Sequence, residues 1–128
     1  MKVAAYLEFN QNAKQVIDTC QEIFDAEVVC ESNYDENMTK NQDLVGKIFH
    51  SEIIIGDSNL YLSDTGKTPS FPALKSVAEI QDEIEAHRCF NNLAQDGTTI
   101  SDFTKMPVGP TIAQVNDAFG INWEIVIC

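Results

Sequence analysis

The chain has 128 residues, 44% of them hydrophobic, and a formal net charge of −12. That is the length of one domain with enough apolar content for a core, which argues against disorder. The acidic balance argues against nucleic acid and anionic membrane as partners, since both want Lys and Arg, and no apolar run reaches the ~18–20 residues of a membrane span.

The opening MKVAAYLEF turns polar too soon for a signal peptide, so the cytoplasm is the expected location. Residues 3–10, VAAYLEFN, alternate. Val3, Ala5, Leu7 and Phe9 fall on an apolar face; Ala4, Tyr6 and Glu8 fall on the other, which predicts a strand. Asn10 or Asn12 then caps a helix over about 13–24. Its stripe is Ala13, Val16, Ile17, Cys20, Ile23 and Phe24. AEVVCES predicts a second strand, and residues 33–46 a polar loop or lid. KIFHSEIII and NLYLSD predict the third and fourth strands, joined by a turn at Gly56-Asp57-Ser58.

TGKTPSFP, residues 65–72, reads as a linker, and then the order of elements repeats. ALKSVA predicts a strand. A helix over about 79–95 carries Ala86, Cys89, Phe90, Leu93 and Ala94 on one face, and Asp96-Gly97 ends it, with Gly97 taking the left-handed conformation. TTISDF, GPTIAQVND and INWEIVI predict the last three strands. Four cysteines and two histidines lack the spacing of a zinc site, so reduced thiols are expected, with Cys20 and Cys89 inside helices.

This pattern predicts an α+β fold of one domain, 1–128, built from two βαβββ modules, 1–64 and 73–128. Each helix would cover the outer face of its own curved mixed sheet, and the other faces would surround a cleft. In the last strand Ile121, Trp123, Ile125 and Ile127 point to the helix side. Asn122, Glu124 and Val126 point to the cleft. By the same parity Tyr6, Tyr61, Ser63 and Gln114 line the cleft. His50 and Glu52, two apart, share one side. Trp123 is expected in the core and His87 partly exposed on its helix.

Four stretches in order, YLEFNQNAKQVIDTCQEIFDAEV, HSEIIIGDSNLYLSD, EAHRCFNNLAQDGTTI and DAFGINWEI, resemble the PhnB-like branch of the glyoxalase/bleomycin-resistance, or vicinal oxygen chelate, superfamily. FTKMPVGPT departs from the relatives, which carry an aromatic followed by Gly there. The resemblance implies the paired βαβββ fold, a homodimer, and in many members a divalent metal that acts as a Lewis acid. The implied ligand positions fall on Ala4, Tyr61, a residue near Pro72, and Glu124. Only Glu124 has a ligand chemistry that suits Ni, Zn, Mn or Fe.

A shift of two residues brings Glu8 to the first position. His50, Glu52, Glu8 and Glu124 would then either bind a metal, with Glu124, His50 and Glu8 as the candidates, or act as a base with an orienting carboxylate. Otherwise His50 and Glu52 are a strand pair without a functional role. The ligand-binding set is therefore Tyr6, Glu8, His50, Glu52, Tyr61 and Glu124. The expected function is to bind a small molecule in the cleft, with or without catalysis. The alternative is a divalent-metal-dependent lyase, isomerase or dioxygenase acting on vicinal oxygens. A quinone methyltransferase reading, attached to some relatives, lacks a glycine-rich turn after a strand. A dimer module with a filled cleft is the remaining reading.

Overall fold

Alternation decides which side of each strand is buried, and the computed structural model, which describes residues 1–68 and 74–128, follows it closely in the first strand. Strand β1 is Ala5–Asn10; Leu7 and Phe9 are buried, while Tyr6, Glu8 and Asn10 are exposed. Val3, before the strand, and Ala5, its first residue, are both exposed rather than on the apolar face, because strand pairing starts only at Ala5 and the buried face begins with Leu7. Helix α1, Ala13–Phe24, buries Ala13, Val16, Ile17, Cys20 and Ile23.

Neither Asn10 nor Asn12 caps this helix. Asn12 occupies the cap position, but its side chain makes no capping hydrogen bond. The Ala13 N–H instead donates to Oδ1 of Asp64 at 2.9 Å. An orphan helix donor can be met by any acceptor, and here a carboxylate 51 residues away does it.

Strand β2 is Glu27–Asn33, β3 is Ile48–Ile55 and β4 is Ser58–Thr65. The sheet order is β1-β4-β3-β2. The β1–β4 pair is parallel, and the β4–β3 and β3–β2 pairs are antiparallel, so the sheet is mixed. Leu7, Leu62 and Ser51 lie side by side on the buried face. Between His50 and Ile48 the register with β2 shifts: Ser32 pairs with His50, and Asn33 with Ile48. Phe49 is the extra residue of this bulge. Ile48 is buried despite sharing the parity of His50, which the broken alternation allows.

The polar loop 34–46 is closed at its base. The Tyr34 N–H donates to the Lys47 carbonyl, and the Gly46 N–H to the Tyr34 carbonyl, each at 2.9 Å. Leu44, in a short 3₁₀ turn over Gln42–Leu44, is buried.

In the second half, strand β5 is Ser76–Ile80 and helix α2 is Glu83–Ala94. The sequence placed that strand earlier, from Ala73, which lies outside the described residues, as do 69–72 of the linker. It also began the helix near 79, but Glu79 and Ile80 continue the strand. Asp82 is the true start, its Oδ1 accepting from the N–H groups of Ile84 and Glu85. Ala86, Cys89, Phe90 and Leu93 are buried as expected.

Past the helix the left-handed residue is Asp96, at φ 62°, not Gly97. Gly97 serves close approach: a Cβ there would lie 2.3 Å from the Asn116 carbonyl oxygen and 2.8 Å from that of Leu93. Strands β6, Thr98–Lys105, β7, Thr111–Asn116, and β8, Asn122–Ile127, complete a mixed sheet of order β5-β8-β7-β6. The two four-stranded sheets, each with one helix on one face, belong to separate compact units, Met1–Pro69 and Ser70–Cys128. Among the described residues no helix is long and apolar enough to cross a membrane.

Two stability predictions arise from this packing. Leu7→Ala is expected to destabilise the protein by about 2–5 kcal/mol in urea unfolding, the scale for a buried leucine truncation; a change near zero would mean the faces of β1 are misassigned. Gly97→Ala is expected to cost about 1–3 kcal/mol by the same method, the scale for forcing backbone shifts in a packed site; an unchanged midpoint would contradict the close approach to Asn116.

Candidate functional site

The open face of the first sheet gathers most of the residues that the sequence singled out. Tyr6 of β1 lies beside Tyr61 of β4, and Tyr61 beside Glu52 of β3, as direct strand partners. Direct partners project on the same side, so these three face away from α1. His50 lies two residues before Glu52 and shares that face.

Three rings form one group. Tyr6 and Tyr61 stack with centroids 5.9 Å apart and planes 15° apart. Tyr61 and His50 stack at 5.7 Å and 26°. The Tyr6 hydroxyl and Nδ1 of His50 are 3.0 Å apart, a hydrogen bond that closes the group. The group is not fully buried: Tyr6 remains 48% exposed, and His50 and Tyr61 are partly buried. Aromatic side chains presented this way offer area at little entropic cost to a binding partner.

The two carboxylates of the face differ. Glu52 Oε2 accepts from Asn59 Nδ2 at 3.3 Å, so Glu52 is partnered within its own hairpin rather than by His50. Glu8 is exposed and sits opposite Ser63 of β4. Ser63 is itself buried.

Sequence reasoning missed three residues of this region. Tyr34 enters from the loop, its hydroxyl donating to the Asp64 carbonyl at 3.0 Å and its ring meeting Phe49 edge-on at 5.2 Å. Burial pushes the Tyr34 hydroxyl above its ordinary pKa, with Asp64, Tyr6 and Glu8 adding to the effect. An aromatic in the otherwise polar stretch NYDENMTKNQD was the available signal. Lys2 places Nζ 5.9 Å from the centre of the Tyr61 ring, within cation–π range. Asp64 is buried and unites the Ala13 and Ile48 N–H groups, each at 2.9 Å.

Glu124 lies in the second unit, on the open face of its own sheet. Its Oε1 accepts from Gln114 Nε2 at 3.2 Å, and Gln114 is its direct strand partner. Trp123 is buried on the helix side, as parity required, and its Nε1 donates to Oδ2 of Asp117 at 2.9 Å. Oδ1 of Asp117 also accepts from the Phe119 and Ile121 N–H groups. Burial raises the Asp117 pKa against the pull of these donors. His87 is partly exposed on α2, in ring contact with Phe103 at 4.1 Å.

The residues present do not fit the four-ligand metal set that the resemblance implies. Ala4 has no donor atom in its side chain. Tyr61 is packed between two rings, and Pro72 lies outside the described residues. Glu124 remains as a single carboxylate with an amide partner. Among the described residues no group of three or more His, Cys, Asp or Glu side chains is placed to hold a metal ion.

Comparison with known proteins places this geometry in context. A family model described as 3-demethylubiquinone-9 3-methyltransferase matches residues 1–126. No curated protein sequence gives a significant match. Among solved structures, a PhnB protein from Bacillus cereus is 24% identical, with all of both chains covered and a TM-score of 0.86. Protein PA1353 from Pseudomonas aeruginosa is 20% identical over 99% of this chain and 97% of its own, with a TM-score of 0.83. The fosfomycin resistance protein FosX from Listeria monocytogenes is 12% identical over 98% of this chain and 91% of its own, with a TM-score of 0.72. At these identities the likeness is one of fold.

Glu124→Leu is expected to change unfolding stability by no more than about 1 kcal/mol, since only one partly exposed amide loses its acceptor. A loss of several kcal/mol would assign Glu124 a structural role.

Proposed function

Given that this chain belongs to the 3-demethylubiquinone-9 3-methyltransferase family, in the PhnB-like branch of the glyoxalase/bleomycin-resistance superfamily, we propose that it binds a small molecule on the open face of its first sheet. The observation that carries this reading is the ring group of Tyr6, Tyr61 and His50, joined by the Tyr6–His50 hydrogen bond and left partly exposed. A sheet face with no binding role is cheapest when covered by short polar or charged side chains. One exposed ring, Tyr6, grouped with the half-buried rings of Tyr61 and His50 makes a contact surface instead. Glu8 and Glu52 flank the rings and supply acceptors for the polar parts of a ligand. A homodimer, which the superfamily resemblance implies, and a cytoplasmic location, expected from an opening segment that turns polar too soon for a signal peptide, belong to the same proposal.

The family description names a methyl transfer, a step that forms no part of the proposed binding role. A methyl donor held as in doubly wound folds needs a parallel strand, a glycine-rich turn and a helix. The described residues form two four-stranded mixed sheets whose helices begin at Ala13 and Glu83 without such a turn.

The test is a panel of soluble aromatic, aliphatic, sugar and amine compounds, mapped by amide and ring chemical shifts on the intact chain. Shifts are expected to centre on Tyr6, His50 and Tyr61. Tyr61→Ala is expected to weaken the tightest compound by roughly 10-fold, the loss of one stacked ring at about 1.4 kcal/mol. Shifts centred elsewhere, or none, would contradict the reading. Metal analysis after exposure to Ni, Zn, Mn and Fe separates it from the metal-dependent alternative: stoichiometric metal, lost in both His50→Ala and Glu124→Ala, would favour that alternative.

A further inference from the structure

The Tyr6–His50 hydrogen bond has a direction, and the direction specifies a ligand. A phenol hydroxyl is far more acidic than the N–H of a neutral imidazole, and an imidazole sp² nitrogen is a better acceptor than a phenol oxygen. Across the 3.0 Å contact these acidities favour the arrangement in which the Tyr6 hydroxyl donates and Nδ1 of His50 accepts. In the neutral ring the remaining proton then sits on Nε2. Nε2 has no hydrogen-bond partner among the described residues, so the ring offers an unused N–H donor at the edge of an exposed aromatic group.

The surroundings narrow the chemistry further. Tyr6 and Tyr61 are close to parallel, while His50 is tilted by 40° from Tyr6, and the three centroids form a triangle with sides of 5.7–5.9 Å, so a ligand lying over the Tyr6–Tyr61 pair makes most contact if it is flat. Charged groups on this face include Lys2 over Tyr61, Glu8, and Glu52 held by Asn59. Two carboxylates against one ammonium disfavour an anionic ligand, so a carboxylate would be a poor partner for Nε2–H. A cation would meet favourable charge but would present a donor to a donor. The group left is an uncharged acceptor oxygen conjugated with a flat ring.

Resting on the binding role proposed above, we propose that the site takes a planar, uncharged aromatic carbonyl compound, whose oxygen accepts from Nε2–H of His50 while Tyr6 acts as a positioning residue that holds the ring in that tautomer. No covalent step is involved.

The test uses the full chain and four probes of similar size: acetophenone, cyclohexyl methyl ketone, benzylamine and benzoate. Nitrogen-15 spectra of the histidine side chain report the tautomer directly. Unliganded protein is expected to show Nδ1 unprotonated and Nε2 protonated, and Tyr6→Phe to mix the two tautomers while amide spectra stay dispersed. Acetophenone is expected to shift His50 Nε2 and the Tyr61 ring, and to bind at least about 5-fold more tightly than the other three probes. In Tyr6→Phe that advantage is expected to fall to about 2-fold or less.

A proton on Nδ1 in the unliganded wild type would overturn the proposal. So would equal binding of the saturated ketone, the amine or benzoate at these residues, which would leave the broader binding role standing. If no probe moves Tyr6, His50 or Tyr61, both fall.

Discussion

The side chain of Asp64 holds together the parts of the first unit that place its ring group. It is a buried carboxylate at the end of β4, and it takes the Ala13 N–H on one oxygen and the Ile48 N–H on the other, each at 2.9 Å. Its own carbonyl accepts from the Tyr34 hydroxyl. A hydrogen bond to a charged acceptor contributes about 1.5–3 kcal/mol, more than a neutral one. Three elements thus converge on one residue: the start of α1, the start of β3 and the loop between β2 and β3. With the start of β3 pinned there, the Phe49 bulge falls where it returns His50 to the open face, two residues from Glu52 and beside Tyr61.

The second unit repeats the order of elements but solves the same problems locally. Its helix is capped by Asp82, directly before it, and its buried carboxylate, Asp117, ties the β7–β8 turn to Trp123. No ring group comparable to Tyr6, Tyr61 and His50 forms on its open face among the described residues; Glu124 and Gln114 pair there instead. The two halves thus share a pattern and differ in the side chains their open faces carry.

Side-chain parity was legible in the sequence because a strand's period is two and both sheets bury one face. Leu7, Phe9, Trp123 and Ile125 fell inward; Tyr6, His50, Glu52 and Glu124 fell outward. Long-range polar contacts were not legible. Asn12 looked like the cap of α1, since local capping is the common case, and nothing near Asp64 in the chain points to Ala13. The start of α2 was misjudged because Glu79 and Ile80 suit either element, although Asp82 carried the usual capping chemistry. Gly97 looked like a left-handed terminator. Its reason is the carbonyl of Asn116, which no local pattern reveals. Tyr34 escaped notice for a related reason: its loop reads as polar, and its role comes from a strand terminus 30 residues away.

Amide hydrogen exchange on the wild type and on Asp64→Asn measures the central tie most directly. In the wild type the Ala13 and Ile48 amides should exchange as slowly as the core of β3 and β4, although one is a helix-start amide that normally frays. In Asp64→Asn the amide group must turn a donor toward one of those two N–H groups, so at least one should lose protection by 10-fold or more, and the contact between His50 and Tyr6 should loosen with it. Rapid exchange at Ala13 and Ile48 in the wild type, or unchanged protection in the variant, would contradict the account.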